Sequence, residues 1–305
     1  MNFYYNGTDI YNDVSVNYCV HEMFAEKQAD TLVIRFNDTK GIWSKWQPAA
    51  GDTVRFKEGA SDTGKMFIHS MKPENGLFTI RAMSMPKTAK IRKSKSWEGV
   101  RFLQLANEFA GNHGLTFKNY GCNDQVYPYI KQDNEGDFSL FSRLCMLEGC
   151  QMLIFDGSLL AYNEHYIEQQ EPAGGLTVDE NGVFTYEDNR DTMFGSCEVA
   201  SGSYSGKYVA DASNSAALRP EIPIQVTSNA EAARFAKGLL RNANKYGRKG
   251  QFSKALMTGY AAASLLTLKT TKASMWDGTV FVYKVRHDFV GNKSTVYFRD
   301  LLEGY

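Results

Sequence analysis

Two glutamates, Glu135 and Glu148, flank one predicted helix and are the carboxylates best placed for acid–base chemistry in this 305-residue chain. A carboxylate pair can hydrolyse a glycosidic bond, one group acting as general acid and the other as base or nucleophile. Their positions at the two ends of a helix also explain both residues structurally, and we favour that interpretation. His69 and His287 lie within or at the end of strand patterns, where packing or surface roles are commoner than catalysis. We therefore predict no catalytic residue.

Cys122, Cys145, Cys150 and His113 are residue types that bind zinc, and together they would supply four ligands. The cysteines of the chain are, however, widely spaced, and none forms the Cys-x-x-Cys pair that is typical of zinc sites. The sequence also lacks a glycine-rich phosphate loop, an HExxH motif and a GxSxG motif. We predict reduced thiols that act as small core residues, with no metal, no disulfide and no cofactor.

The elements that would position these residues follow one another closely between residues 126 and 163. Residues 126–131 form a predicted aromatic strand, and residues 134–137 offer cap residues for a helix that Gly149 ends. A tight hairpin is predicted over residues 151–162. The apolar face of the helix comprises Phe138, Phe141, Leu144, Cys145 and Leu147. The unit is therefore a strand, a helix and a hairpin, and we call it the signature unit.

This unit resembles the late control gene D family of phage tail hub proteins. The residues that carry the resemblance are, in order, Gln132, Glu135, Asp137, Phe141-Ser142-Arg143-Leu144 and Glu148-Gly149. In that family the helix usually opens on a serine followed by an aspartate, whereas Gly136 stands here in place of the serine. A glycine cap costs only about a few tenths of a kcal/mol relative to serine, so the departure leaves the resemblance intact.

The resemblance implies a structural role in a phage tail or a related particle. The family includes baseplate hubs of contractile tails and the N-terminal part of type VI secretion spikes. The resemblance implies a homotrimer whose paired barrels adapt a sixfold tail tube to a threefold spike or tip. The implied partners are the tail tube protein, the spike or tip protein, baseplate wedge proteins and the tape-measure protein. The implied location is the virion tail or baseplate of a phage, a bacteriocin or another injection system, assembled in the bacterial cytoplasm.

The composition is consistent with that role and excludes few other classes of protein. The chain has 34 basic and 34 acidic residues, so we expect no global attraction to nucleic acid or to a membrane. No apolar run approaches the roughly 18 residues that a membrane-spanning helix needs. The first seven residues lack the basic and apolar regions of a signal peptide, so we expect a protein that stays in the cytoplasm until it is released.

The predicted fold class is α+β and rich in strands, with two tube-like β-barrel domains and an inserted α/β module. Residues 1–95 form the first predicted barrel, residues 96–165 the inserted module, and residues 166–305 the second barrel with one amphipathic helix. The module is expected to begin with a helix capped by Ser96. The basic run 86–95 is interpreted as a solvated linker rather than a phosphate-binding patch.

Two charged features stand out in the final half of the chain. Acidic residues accumulate over residues 164–191, which we interpret as a solvated loop region. Ser228 and Glu231 form a predicted capping box at the start of the amphipathic helix. Its polar side carries a basic ridge made of Arg234, Lys237, Arg241, Lys245 and Arg248. A solvated face is the common interpretation, and we predict instead that the ridge faces a neighbouring protein.

Two other classes of function stay open at this stage. A tail-tip peptidoglycan hydrolase would need a carboxylate whose replacement abolishes turnover of cell wall. A carbohydrate-binding module would expose a cluster of aromatic residues at one groove. With Trp97 assigned to the core of the first module helix, we expect Trp43, Trp46 and Trp276 to be core or interface residues.

Overall fold

The structure of the chain is a computed structural model that describes residues 1–178, 182–220, 224–271 and 273–305. Within these ranges strands predominate and five α-helices occur, so the α+β, strand-rich class predicted from the sequence is confirmed. Asp179 and Glu180, which belong to the predicted acidic stretch, lie outside the described residues.

The N-terminal region is built from strands around one apolar core. The alternation of Leu32, Ile34 and Phe36 places all three side chains on the buried face, as the sequence predicts. Trp43 stacks on Phe78 with ring centroids 5.4 Å apart. The elements are β1 (Asn2–Tyr5), β2 (Thr8–Asp9), β3 (Ser15–Phe24), β4 (Thr31–Asn37), α1 (Ile42–Trp46), β5 (Thr53–Glu58), β6 (Ser61–Asp62), β7 (Met66–Glu74) and β8 (Leu77–Met83), with short 3-10 helices at Tyr11–Asp13 and Lys87–Lys90.

The middle region contains the strand, helix and hairpin predicted from the sequence. Phe141 is fully buried, and its ring lies 5.1 Å from that of Phe102 and 6.2 Å from that of Phe109. The two helices of this region therefore pack against each other. The elements are β9 (Lys93–Arg101), α2 (Phe102–Asn112), β10 (Thr116–Tyr120), β11 (Val126–Glu135), α3 (Asp137–Leu147), β12 (Cys150–Phe155) and β13 (Ser158–Asn163).

The start of the first module helix was predicted wrongly. Residues 96–101 are not helical but belong to β9, in which Trp97 pairs with Ile130 of β11. Gly99 has a φ of +60°, a left-handed conformation that a right-handed helix cannot contain. Ser96 is therefore no cap. The amide of Leu103 instead donates to Asp124 Oδ1 at 2.9 Å, so a carboxylate from a later loop caps α2.

The basic run 86–95 is also not a solvated linker throughout. Lys93 and Lys95 lie on β9, where Lys93 pairs with Asp137 at 3.1 Å and Lys95 pairs with Glu108 at 2.6 Å. The run therefore contains the last 3-10 helix of the N-terminal region and the first strand of the middle region.

The C-terminal region returns to strands, as the sequence predicts, and adds one long helix. Its elements are α4 (Glu164–Glu168), β14 (Gly174–Val178), β15 (Val183–Asp188), β16 (Ser196–Ser201), β17 (Tyr204–Val209), β18 (Ala217–Leu218), α5 (Asn229–Asn244), β19 (Arg248–Ala255), β20 (Ser264–Thr270), β21 (Gly278–Asp288) and β22 (Lys293–Asp300), with 3-10 helices at Arg190–Thr192 and Ser274–Trp276.

Strands from both ends of the chain share one large sheet. Val20 of β3 is opposite Val33 of β4 on one side and opposite Asp288 of β21 on the other. Within the described residues the strand order is β15-β19-β22-β21-β3-β4-β8-β7-β5-β1-β2, with β6 paired to β5 and with β20 joining β21 to β14. Smaller sheets are formed by β10-β13-β12, β9-β11 and β17-β16-β18.

Helix α5 packs on the middle region rather than only on strands of its own region. Ala232, Phe235 and Leu240 share one apolar core with Phe141. A Cβ atom on Gly238 would lie 2.3 Å from the Leu147 carbonyl oxygen, so the two helix backbones are in direct contact there. The division at residues 95 and 165 remains a prediction.

Candidate functional site

Asp137 at the start of α3 is the most buried of the signature carboxylates, with 1% of its surface exposed. It accepts hydrogen bonds from Gln132 Nε2 and Asn112 Nδ2, each at 2.9 Å, and pairs with Lys93 at 3.1 Å. Burial favours the neutral acid, but the Gln132, Asn112 and Lys93 contacts hold the pKa of the Asp137 carboxyl below its usual range. Two signature residues thus fix the strand β11 to the start of α3.

The two glutamates with candidate acid–base chemistry are bound to separate partners. Glu135 pairs with Arg143 at 2.6 Å. Glu148 accepts from the Tyr127 hydroxyl at 2.7 Å and from Arg234 Nε at 2.7 Å. These bonds anchor the two ends of α3 and bind it to α5, which is the helix-end role that the sequence favours. The pattern had indicated neither the Tyr127 contact nor the Arg234 contact, because both cross between distant elements.

Gly136 has a steric reason for departing from the serine of the resembled family. It is the N-cap of α3, in an extended backbone conformation that any residue adopts. A Cβ atom there would lie 2.9 Å from the carbonyl oxygen of Ala89, a backbone atom that cannot move freely. The close approach of the N-terminal region therefore disfavours a larger residue.

All five cysteines are buried free thiols, which is the core role that the sequence predicts. The Cys122 thiol and burial raise the pKa of the Cys150 thiol. His113 is not beside these cysteines as a fourth ligand, since its ring nitrogens face Thr88 Oγ1 at 2.9 Å and Asp137 Oδ2 at 3.2 Å. Among the described residues, no three His, Cys, Asp or Glu side chains are grouped so that they could hold a metal ion.

Charged residues from four elements meet in the interior, and we call them the buried charge cluster. Glu26 follows β3, Arg299 lies on β22, and Lys245 ends α5. Each of these side chains is at most 5% exposed. The cluster comprises Glu26, Glu164, Glu168, Arg241, Lys245 and Arg299.

Each cation of the cluster contacts two carboxylates. Lys245 Nζ contacts Glu26 and lies 3.1 Å from Glu164. Arg241 lies 2.6 Å from Glu168 and 3.3 Å from Glu164. Arg299 lies 2.7 Å from Glu168 and 3.4 Å from Glu164. The Tyr246 hydroxyl donates to the second oxygen of Glu26. The charges therefore balance within the cluster.

The cluster keeps the Glu164 carboxylate ionised although it is buried. Burial alone would raise the pKa of Glu164, but Lys245, Arg299 and Arg241 together hold that pKa at about 2. For Arg299 burial favours the neutral form, and the carboxylates of Glu164 and Glu168 nevertheless raise the pKa of its guanidinium.

Two predictions about charge are therefore wrong. The stretch 164–191 is not a solvated loop throughout, because Glu164 and Glu168 lie in the core on α4. The basic ridge is not continuous, because Arg241 and Lys245 are buried and pair with carboxylates of the same chain. Arg248 belongs to β19, pairs with Asp300 at 2.7 Å and lies over a Trp276 ring at 4.0 Å. Tertiary pairing within one chain thus explains most of the charge segregation.

The capping box at the start of α5 is formed with one change. The Ser228 hydroxyl accepts from the Glu231 amide at 3.1 Å, as predicted. The Glu231 carboxylate accepts from the amide of Thr227 at 2.6 Å, one residue before the predicted donor.

The tryptophans make packing contacts. Trp43 and Trp97 are buried. Trp46 is 42% exposed and lies with its ring 5.2 Å from that of Trp43. Trp276 stacks on Tyr186 with ring centroids 3.7 Å apart.

A buried histidine pair was missed in the sequence. His21 of β3 is directly opposite His287 of β21, and both side chains are fully buried. The alternation of Cys19, His21 and Met23 on one face of a strand would have indicated its burial. His287 Nδ1 lies 2.7 Å from Ser294 Oγ, whereas neither ring nitrogen of His21 has a hydrogen-bond partner among the described residues.

In the described ranges, no helix combines the length and the apolar character that crossing a bilayer requires. No protein-family model matches the chain, and no curated protein sequence matches it. Solved structures do match over nearly the whole chain.

A 43 kDa tail protein of prophage MuSo2 from Shewanella oneidensis aligns over 98% of this chain and 96% of its own, with a TM-score of 0.71 and 11% identity. A tail protein from Neisseria meningitidis MC58 aligns over 98% and 95%, with a TM-score of 0.76 and 12% identity. The E. coli c3393 protein, a type VI secretion component similar to T4 tail proteins gp27 and gp5, aligns over 100% and 78%, with a TM-score of 0.61 and 11% identity. The chain therefore has the fold of phage tail and type VI secretion proteins, and the tail-hub fold recognised from the signature unit is confirmed.

Proposed function

We propose that the chain is a structural component of a tail or baseplate, where three copies form a ring that adapts a sixfold tube to a threefold spike or tip. The observation that carries the proposal is the agreement of fold with two tail proteins over nearly the full length of both partners. Tail tube, spike or tip, wedge and tape-measure proteins are the proposed neighbours in the particle. The two proposed barrels would share the large sheet through β3 and β21.

An open sheet edge supports assembly by strand pairing. Strand β15 ends the large sheet and pairs only with β19 among the described residues. Val183 at the start of β15 is 67% exposed. An exposed apolar edge promotes aggregation of a monomer, whereas in an assembly it can pair with a strand of a neighbouring subunit. We propose that β15 contacts a neighbouring copy.

The environment of the candidate carboxylates supports a role without catalysis. Glu135, Glu148 and Asp137 are each bound to at least one cation of the same chain. A general acid of a glycosidase needs a raised pKa, and the contacts of Asp137 act in the opposite direction. No observation favours the hydrolase or the carbohydrate-binding alternative over the structural role.

The proposed role is tested by the solution mass of the purified chain and by its position in particles. A mass of three times 34.3 kDa is expected, together with density for the protein at the tube–spike junction. Val183→Lys should weaken the trimer, because a charge at a paired edge is buried without a partner. Val290→Lys is the matched control, since Val290 is exposed in the turn after β21. A monomer that is absent from particles would contradict the proposal.

A further inference from the structure

A partly enclosed cavity of about 260 Å³ lies where the end of α3 meets α5. Its wall on α5 carries Arg234, Lys237 and Arg241, three members of the predicted basic ridge. Glu148 also lines the cavity. Although the ridge is not a continuous surface, three of its five residues thus line one cavity.

Arg241 brings one buried nitrogen without a polar partner to the lining of this cavity. The residue is 3% exposed, and its Nε pairs with Glu164 at 3.3 Å. Nη2 lies 2.6 Å from Glu168 in an ion pair, whereas Nη1 has no hydrogen-bond partner among the described residues. A buried donor without an acceptor costs free energy, so an acceptor in the cavity would stabilise the protein.

Lys237 supplies a second available cation at the rim. It is exposed, it lies over the Tyr208 ring at 5.3 Å, and no carboxylate of the described residues pairs with it. Arg234 differs, because Glu148 neutralises it through two hydrogen bonds. The cavity therefore offers one buried guanidinium nitrogen and one exposed ammonium group to an incoming anion.

We propose that this cavity binds a carboxylate. A guanidinium N–H donates to a carboxylate oxygen in a charge-assisted hydrogen bond. Glu148 in the lining adds a negative charge that disfavours a phosphate dianion more than a singly charged carboxylate. The occupant is the side chain of an aspartate or glutamate from a neighbouring protein in the particle. This choice of occupant rests on the proposed assembly role, whereas the site itself does not.

The test uses the isolated full chain, labelled with ¹⁵N, and the probe acetyl-aspartate amide, which has one carboxylate and capped ends. Saturable shifts are expected for the amide signals of Gly149 and Gly238, which line the cavity. Acetyl-asparagine amide is the uncharged control. Lys237→Gln should weaken probe binding about two- to fivefold, because Lys237 acts from the exposed rim. Lys40→Gln removes an exposed lysine between β4 and α1 and should leave binding unchanged.

Lys237 is chosen for replacement because it is exposed, whereas a change at Arg241 would also disturb the buried charge cluster. Equal shifts with the asparagine probe, or no saturation with the aspartate probe, would overturn the proposal. Saturation by inorganic phosphate but not by the aspartate probe would overturn the assignment to carboxylate. Failure of the trimer in the mass measurement affects only the proposed role, so the two results can be separated.

Discussion

The buried charge cluster and the His21–His287 pair both include residues of the large sheet, yet they hold polar groups in the core in opposite ways. In the cluster each cation contacts two carboxylates, so the groups stay charged. In the pair, burial and the neighbouring His287 lower the pKa of His21 to about 3, while Asp62 acts weakly in the other direction. His21 is therefore neutral at physiological pH.

The buried charge cluster and the histidine pair show two ways in which a chain of zero net charge can bury polar residues. Mutual neutralisation requires partners from distant segments, and the cluster takes them from β22, the turn after β3, α4 and α5. Neutrality by loss of a proton requires only an apolar environment. The first arrangement should resist acid until its carboxylates protonate, and the second should respond at higher pH.

The largest effect is expected from removing one cation of the cluster. Arg299→Met should lower the free energy of unfolding by about 3–5 kcal/mol, because Glu164 and Glu168 would lose a partner while they stay buried. Urea denaturation at neutral pH measures the change. Arg286→Met on β21 is the control, since Arg286 is about one-third exposed and pairs with Glu22 at 3.8 Å.

The control should change stability by no more than about 1 kcal/mol, as is usual for exposed ion pairs. If Arg299→Met costs as little as Arg286→Met, water reaches the cluster and the comparison with the histidine pair fails.

A smaller effect is expected from acid at the histidine pair. The folded pKa of His21 lies at about 3, well below the ordinary value of 6.5, so the unfolded chain binds a proton first as the pH falls. His21 should therefore cost about 2 kcal/mol of stability between pH 7 and pH 5. Glu164, with a folded pKa of about 2 against an ordinary 4.5, loses its contribution only below about pH 4.5. The histidine pair and the buried charge cluster thus lose stability in different pH ranges.

The measurement is the difference between the parent chain and His21→Leu, because other buried groups also titrate. The carboxyl of Asp30, whose pKa burial raises to about 7, acts in the opposite direction in both chains. The parent should lose about 2 kcal/mol more than His21→Leu between pH 7 and pH 5. His165→Gln, a change at an exposed histidine, should behave like the parent. If the free energies of unfolding of the parent and of His21→Leu change with pH in parallel, burial does not keep His21 neutral in the folded chain.

Local patterns predicted much of this fold because their causes are local. The alternation in β4, the capping serine of α5 and the apolar face of α3 follow from spacing along the chain, and each is observed. The signature unit also indicated the tail-hub fold from few residues. Such patterns record which face of an element is buried.

Features that depend on distant partners could not be read from the sequence. Asp124 caps α2 from a later loop, and the helix start predicted at Ser96 was therefore wrong. Burial of Arg241 and Lys245 depends on α4, which is separated from α5 by strands β14 to β18. Helical spacing reports only that charges share a face, and it does not report whether that face meets water or carboxylates.

The smallest expected effect tests whether a polar side chain can be added where no room exists. Gly136→Ser restores the residue of the resembled family and offers a capping hydroxyl, which is worth only about a few tenths of a kcal/mol over glycine. Its Cβ would lie 2.9 Å from the Ala89 carbonyl oxygen, and overpacking costs about 1–3 kcal/mol. Thermal and urea unfolding should therefore show a net loss of about 1 kcal/mol.

The matched control is Gly111→Ser in α2, where nothing lies within 4 Å of an added Cβ atom. That variant should be unchanged or slightly more stable, because serine has a higher helix propensity than glycine. If Gly136→Ser is as stable as the parent, the Ala89 segment moves aside and the glycine has no steric cause. A buried region of this chain would then accept a polar group in a third way, which neither the buried charge cluster nor the His21–His287 pair represents.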